Sequence, residues 1–315
     1  MINKLEFPTV KIKEKVSKGI VIEVSDNLKM ARGFRIKALD RFTKNKRAMF
    51  GFITILLEIL IVVFIPLIFK LDPISSDFDA GFKAQPSIAH ILGTDAAGRD
   101  LFARTIWGGR VSLLVGILAT AISVIIGLPL GLIAGYYRGI AESIIMRCAD
   151  IFMSFPSMIL ILILVSIVGQ SIITVFLVIG IMGWTGIAKL VYGNVLSIRD
   201  IDYINAARTI GKSDMNIIFT EVLPNVISPV WVTLSFRVGG AILAESGLSF
   251  LGVGIQPPNA SWGNILNAAQ DVSILMTKPW MWIPSGILIT VTVVAFNFIG
   301  EGVRDAFDPR MNINK

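Results

Sequence analysis

Six apolar segments of about membrane length constrain this chain more than any other feature. They run approximately over Met49–Phe69, Val111–Tyr136, Phe155–Val168, Ile172–Val191, Val226–Ala244 and Ile283–Ile299. A helix needs about 20 apolar residues to cross the hydrocarbon core of a bilayer. The third segment is shorter than that, and we expect it to extend back toward Asp150. Because backbone groups inside lipid must pair within the protein, we predict an all-α membrane protein with six transmembrane helices.

The composition of the whole chain supports this class. Of its 315 residues, 54% are hydrophobic and 16% are charged, whereas soluble domains carry about 25% charged residues. The chain has a single cysteine, Cys148, and a single histidine, His90. These counts exclude an internal disulfide and the usual cysteine-rich metal sites, and no nucleophile–base arrangement indicates catalysis. We therefore expect no metal and no catalytic residues, and we interpret His90 as an ordinary loop residue.

Lysine and arginine residues predict the orientation in the membrane. They are dense in the first 48 residues, and such residues are enriched on the cytoplasmic side. Six spans then return the C-terminal segment, with Arg304, Arg310 and Lys315, to the cytoplasm. Cys148 falls at the cytoplasmic end of the third span, and the loop Leu71–Gly109, which contains arginines, opposes the assignment weakly. We interpret the basic N-terminal segment as a topology signal that contacts membrane lipid rather than nucleic acid.

The chain therefore divides into a cytoplasmic N-terminal segment at 1–48, a transmembrane domain at 49–303 and a cytoplasmic tail at 304–315. Within the transmembrane domain, a polar loop at about 192–225 joins the fourth and fifth apolar segments. It predicts two short helices, over Asp200–Ile210 and Ser213–Val222, which are separated by a break at Gly211.

Two features of this polar loop bear on function. Ala206 and Ala207 give a flat face that another protein can approach closely. On these residues alone, a docking site and an ordinary helical hairpin on the membrane surface are equally good interpretations. The tripeptide Gly211-Lys212-Ser213 matches the end of a phosphate-binding loop, but Ala206 stands where that motif requires its first glycine. We therefore expect that this chain does not hydrolyse ATP.

Several short motifs occur in an order that is shared with a known family. They are Arg41-Phe42 with Asn45-Lys46, Leu92-Gly93-Thr94-Asp95 with Gly98-Arg99-Asp100, Met146-Arg147 with Asp150 and Pro156, Asn205-Ala206-Ala207-Arg208 with Gly211 and Leu223-Pro224, Leu248-Ser249-Phe250-Leu251-Gly252 with Ser261-Trp262-Gly263, and Arg304-Asp305-Ala306-Phe307-Asp308-Pro309. By these residues the chain resembles the permease subunits of binding-protein-dependent ABC importers of the peptide and nickel class, in particular the C-type peptide permease. The polar loop resembles that family's Glu-Ala-Ala motif, with Asn205 in place of the usual glutamate.

The resemblance implies the type I ABC importer permease fold with both termini cytoplasmic, in the inner membrane. It also implies a division of labour. Two permease subunits form the pathway, two cytoplasmic ATPase subunits bind ATP and Mg²⁺, and an external solute-binding protein delivers the substrate. This chain would then carry no cofactor and would not be an enzyme. The polar loop would be the coupling helix that contacts the ATPase through Asn205, Ala206, Ala207, Arg208, Gly211, Leu223 and Pro224.

The resemblance leaves the substrate open between peptides and nickel. A secondary transporter driven by an ion gradient is the alternative from another class. The long outer loop Ser246–Trp282 lies where a delivered substrate must enter. Its tryptophans, which are Trp262, Trp280 and Trp282, are interpreted as interfacial anchors, although they could also receive the binding protein.

Charged residues inside the spans are further candidates for function. Glu58 lies in the first span, Arg237 lies near the middle of the fifth, and Glu245 follows Arg237 on nearly the same helical face. Arg237 either lines the translocation path, where it would attract a carboxylate of a passing peptide, or pairs structurally with Glu245 or an acid of a partner subunit. We favour the structural pair, because a tightly binding cation would trap the substrate.

Overall fold

The computed structural model describes residues 39–307, which are mostly helical. The helices are α1 Lys46–Ile68, α2 Leu101–Tyr137, α3 Gly139–Ser154, α4 Ser157–Val168, α5 Ile172–Ile198, α6 Asp202–Thr209, α7 Asp214–Ile217, α8 Leu223–Phe250, α9 Trp262–Leu266, α10 Val272–Thr277 and α11 Ile283–Phe307. The basic residues 1–38 and the residues 308–315, with Arg310 and Lys315, lie outside the described part. The charge argument for the cytoplasmic termini therefore stays a prediction.

Within residues 39–307, five helical segments are long and apolar enough to cross a membrane: α1, α2, α5, Asp214–Phe250 and α11. A sixth crossing exists if α3 and α4 count as one span, and this pair is bent by 88°. The predicted third span is therefore not one straight helix. Pro156 lacks a backbone N–H and disfavours helical geometry in the residue before it. Phe155 is accordingly extended, with φ −100° and ψ 146°, and the helix breaks there.

Several helices continue beyond the predicted apolar segments. The second helix begins at Leu101 rather than Val111, because the Asp100 side chain accepts a hydrogen bond from the Ala103 N–H and caps it. The fourth apolar segment lies in α5, which ends at Ile198 rather than Val191. The sixth lies in α11, which extends to Phe307. Apolar content marks only the part of a helix that lies in lipid, so polar extensions at either end escape a hydropathy reading.

The long helices pack closely where small residues meet. Glycines on α2 face α5, and a Cβ at Gly127 would lie 2.6 Å from the Trp184 carbonyl oxygen. A Cβ at Gly131 would lie 2.6 Å from the carbonyl oxygen of Ala188. Glycine thus sets the α2–α5 distance, because backbones inside a membrane approach most closely at small residues.

Both ends of the described chain lie at one end of the helical bundle. Asn45, before α1, donates a hydrogen bond of 3.0 Å to Asp305 near the end of α11. The loops that follow α1 and α8 meet at the opposite end, where Lys278 donates to the Lys83 carbonyl at 3.1 Å and Trp280 to the Ala84 carbonyl at 3.2 Å. The two ends of the described chain therefore lie on one side of the membrane, which the basic residues predict to be the cytoplasm.

Candidate functional site

The predicted short helix of the polar loop is present as α6, Asp202–Thr209. It ends at Thr209, and two residues later Gly211 has a φ of +82°, a left-handed conformation that glycine adopts without strain. The Gly211 N–H donates to the Arg208 carbonyl at 3.0 Å, and the Lys212 N–H donates to the Ala207 carbonyl at 3.1 Å. Gly211 therefore fixes the end of α6, as its position in the sequence predicted.

The two alanines of α6 have different environments. Ala206 is exposed, whereas Ala207 is 5% exposed and packs with the fully buried Ile204 against Ile217 and Val222 of the same chain. The expectation that both alanines form one exposed face is therefore wrong for Ala207. In an α-helix, residues three apart share a face, so Ile204 and Ala207 together anchor α6 to the bundle.

A second anchor joins α6 to the end of α2. The Arg208 guanidinium lies 5.1 Å from the ring centroid of Tyr136, and its Nε donates to the Tyr136 hydroxyl at 3.4 Å. That hydroxyl in turn donates to Asp214 at 2.8 Å. Asn205 accepts a hydrogen bond from Arg208 at 3.2 Å and donates to the Asp200 carbonyl at 3.0 Å. Asn205 thus orients the Arg208 side chain and links it to the backbone at Asp200.

After the break at Gly211, α7 continues into α8 as one helix, so the predicted short helix Ser213–Val222 is not separate from the fifth span. The helix passes through a π-helical turn at Ile218–Val222 and enters α8 at Leu223. Pro224 comes directly after this π-helical turn, and because it has no N–H it cannot continue the regular i→i−4 hydrogen bonding at that point. Leu223 packs against the same cluster as Ile204.

Charged residues around α6 are paired. Arg199 lies 3.1 Å from Asp200, and this hydrogen bond lowers the pKa of the Asp200 carboxyl below its ordinary value. Lys212 lies 2.6 Å from Glu221. The helix α6, which carries most of the predicted coupling residues, is therefore preceded by one ion pair and followed by another.

Arg237 lies on a cavity of about 530 Å³ between the middles of α2, α5 and α8. Within the described residues Arg237 makes no hydrogen bond or ion pair. Its guanidinium approaches Gly183 and Gly186 of α5, and a Cβ at Gly186 would lie 3.1 Å from Nη1. The predicted structural pair with Glu245 does not form, and pairing with an acid of a partner subunit stays a prediction.

Glu245 lies instead in a closed network. It is fully buried and accepts hydrogen bonds from Ser112 at 2.9 Å and Ser249 at 2.8 Å. Ser112 also accepts the Trp262 N–H at 3.2 Å. Eight residues correspond to about 80° of rotation around a helix (2.2 turns), and the neighbouring helices here place the two charges in separate environments.

Trp262 is not an interfacial anchor. It is 1% exposed, and its indole N–H donates to the Thr105 carbonyl at 3.0 Å. Gly109 of α2 makes room for the Trp262 side chain, because a Cβ at Gly109 would lie 2.9 Å from the Trp262 ring. Trp280 and Trp282 are half-buried, so their interfacial role stays a prediction.

The remaining single residues have simpler settings. Glu58 is 7% exposed and accepts a hydrogen bond from Thr292 at 2.8 Å. His90 bridges Asp100 at 2.6 Å and Asp77 at 3.2 Å. Cys148 is exposed on α3. Groups of three or more histidine, cysteine or acidic residues arranged to hold a metal are absent from residues 39–307.

Sequence reasoning missed Tyr136 and the glycines that face Arg237. Tyr136 ends the second apolar segment and carried no motif. Gly183 and Gly186 are spaced three apart in the fourth segment, and this small-residue spacing is the signal that could have identified a place where another side chain enters the helix surface.

Comparison with known families decides which class of membrane protein this is. A family model described as "Binding-protein-dependent transport system inner membrane component" matches residues 127–313, and one described as "N-terminal TM domain of oligopeptide transport permease C" matches residues 34–86. The chain belongs to the first of these families. It is a multi-pass protein of the inner membrane and a transport component rather than an enzyme.

Relatives and a solved structure agree with this membership. A putative peptide permease protein of Brucella suis is 37% identical over 292 residues, covering 93% of this chain and 96% of that protein. The oligopeptide transport system permease protein OppC of Haemophilus influenzae is 40% identical over 277 residues, covering 87% and 88%. A chain of the inward-facing MetNI methionine ABC transporter superposes with a TM-score of 0.54 at 19% identity, covering 66% of this chain and 97% of that chain. The permease fold of ABC importers is therefore confirmed.

Proposed function

We propose that this chain is one of two permease subunits of an ATP-driven importer for peptides, and that α6 is its contact with an ATPase subunit. Relatives named as peptide and oligopeptide permeases support peptides over nickel. ATP and Mg²⁺ are bound by the partner ATPase subunits, and a solute-binding protein delivers the peptide to the opposite face. Family membership favours this importer over a secondary transporter driven by an ion gradient.

The observation that carries the proposal is the way α6 is mounted. One face, with Ile204 and Ala207, is buried in the chain's own core, and the opposite face, with Asp202, Ala206 and Thr209, is exposed. A helix that is fixed on one side and free on the other transmits a push to the elements that hold it. A flexible loop would absorb the same displacement.

The anchors indicate where that push goes. Tyr136 links Arg208 of α6 to the end of α2 and to Asp214, where the helix that becomes α8 begins. The middles of α2 and α8 line the cavity. Movement of α6 toward or away from the ATPase would therefore shift two walls of the cavity together, as rigid-body switching requires.

The decisive substitution is Ala206→Glu. A charge placed in a close-packed contact loses its water, and an unpaired buried charge costs several kcal/mol. We expect Ala206→Glu to leave the permease inserted in the membrane, to reduce the amount of ATPase that co-purifies with it, and to abolish ATP hydrolysis stimulated by the binding protein. The measurements are co-purification and hydrolysis in the reconstituted complex.

Two variants serve as controls. Ala96→Glu changes an exposed alanine at the opposite end of the bundle, so it should leave ATPase association intact. Ala207→Glu buries the charge in the chain's own core and should lower the amount of folded permease. Full association and full stimulated hydrolysis in Ala206→Glu would show that α6 is not the coupling helix.

A further inference from the structure

The middle of α8 places a cation on an open cavity within the membrane. Arg237 is half-buried and makes no hydrogen bond or ion pair with the described residues, although a guanidinium carries five N–H donors. An unsatisfied charge is costly inside a membrane and marks a functional position by default. Residues 39–307 therefore supply no acceptor for the donors of this guanidinium.

Two glycines of α5 form a recess that accommodates the Arg237 guanidinium. Gly183 and Gly186 lie on the α5 face beside the guanidinium. A side chain at Gly183 would collide with both Arg237 and Ser123, and a Cβ at Gly186 would touch only Arg237, at 3.1 Å. Two glycines one helical turn apart thus give the guanidinium room to point into the cavity.

The lining of the cavity selects for a negative group. Apart from Arg237, its walls are apolar side chains such as Phe152, Phe155 and Phe236, together with neutral hydroxyl side chains such as Thr120 and Ser123. No carboxylate lies among the lining residues to neutralise the arginine. A guanidinium in such surroundings binds a carboxylate in a bidentate manner, which no neutral group can reproduce.

We propose that Arg237 is a transit site for a carboxylate of the transported molecule, specifically the C-terminal carboxylate of a peptide. This inference rests on the proposed peptide import and adds the group by which the pathway recognises its substrate. The volume of about 530 Å³ falls within the range of small-molecule pockets. Its open form leaves the carboxylate exchangeable, which avoids the trapping that a closed arginine site would cause.

The test compares two peptides that differ only in this group. Uptake of one tripeptide with a free C-terminal carboxylate and of the same tripeptide as its C-terminal amide is measured with the complete reconstituted importer. The readout is the ratio of the two uptake rates. Because the same binding protein delivers both peptides to every variant, its own preference cancels when the ratio of a variant is divided by that of the wild type.

We expect Arg237→Gln to lower the uptake ratio about tenfold or more, because charge-assisted hydrogen bonds are the strong ones. The fall should come from the free-carboxylate peptide alone. Arg237→Lys keeps the charge without the planar fork, so it should retain part of the preference.

A glycine pair on α5 tests the same site without removing the arginine. Gly186→Ala should reduce the ratio several-fold, because its Cβ would press on the Arg237 guanidinium alone. Gly193→Ala is the matched control on the same helix, since a Cβ there meets nothing within 4 Å. Alanine is the stronger helix former, so both variants should fold.

Three results separate the possible failures. Unchanged ratios in Arg237→Gln and Gly186→Ala would overturn the transit site while leaving peptide import intact. An equal loss of both peptides, or a loss of complex assembly in Arg237→Gln with a normal ratio in Gly186→Ala, would assign Arg237 to a structural contact with a partner subunit instead. Absence of uptake of either peptide by the wild-type complex would overturn the proposed function itself.

Discussion

The middle and the outer third of α8 each carry one ionisable side chain, a basic one and an acidic one, in contrasting environments. Arg237, in the middle, lines an open cavity and has no polar partner among residues 39–307. Glu245, in the outer third, is fully buried and held by Ser112 and Ser249. A charged residue in a transmembrane segment therefore does not by itself indicate a binding site. In α8 one charged residue is hydrogen-bonded within the protein core, whereas the other faces a cavity where a ligand can reach it.

The closed region extends well beyond Glu245. Ser112 joins the network to Trp262, and Ser249 accepts the Ile255 N–H at 3.0 Å, so the loop after α8 is tied to the helix. Farther out, Arg104 lies 3.3 Å from Asp95, which also pairs with Arg99 at 2.8 Å. Every motif of the family resemblance at this end takes part in such contacts, which explains them as packing rather than chemistry.

We expect the largest loss of stability in Glu245→Ala. The substitution leaves a cavity and strands two buried hydroxyls, which together should cost roughly 3–5 kcal/mol of the free energy of unfolding. Arg237→Met should change stability far less, because it breaks no hydrogen bond or ion pair within residues 39–307. The measurement is the thermal unfolding midpoint of the purified complex.

Glu245→Gln is the matched control, since an amide keeps the size and one acceptor oxygen. It should lie between the wild type and Glu245→Ala. If Arg237→Met proved as destabilising as Glu245→Ala, the contrast between an open and a closed half of α8 would be wrong.

A pair of glycines gives the next largest effect. Gly263 packs on the closed side of α8, and a Cβ there would lie 2.6 Å from the Ser246 Cα. Gly263→Ala should therefore cost about 1–3 kcal/mol of stability through overpacking. Gly240→Ala, on the cavity side of the same helix, should be neutral or slightly stabilising, because nothing lies within 4 Å of its Cβ.

The thermal unfolding midpoint of the purified complex is measured for both glycine variants. Equal stability of the two would contradict the packing difference between the sides of α8.

The smallest predicted effect concerns pH at the outer end. His90 lies between Asp100 and Asp77, and the hydrogen bond to Asp100 raises the pKa of His90 above its ordinary value of 6.5. A raised pKa in the folded state stabilises the protein fully below the unfolded pKa, and this contribution is lost as pH rises through the folded pKa. Thermal stability should therefore decrease slightly above neutral pH.

His90→Gln tests this assignment, since glutamine can hydrogen-bond without titrating. It should remove the pH-dependent part and keep most of the stability. A wild-type midpoint that rises across the same interval would show the opposite sign of linkage.

The sequence by itself determined the class of the protein and most of its helices. Apolar runs of about membrane length are readable because lipid forces each spanning segment to be helical. Gly211 was readable as a helix end, since a positive φ favours glycine at that position. The motif order identified the family, which the family models and relatives confirmed.

Only the tertiary structure decided what the marked residues do. It turned Ala207 inward and left Ala206 outward, it moved Trp262 from the interface into the core, and it separated Arg237 from Glu245. A helical period fixes which residues share a face, but it does not say which neighbour that face meets. Here the neighbours that are far away in sequence are Ser112 of α2 for Glu245 and two glycines of α5 for Arg237. The serine supplies a hydrogen bond and the glycines supply none, so one charge is satisfied and the other is left open.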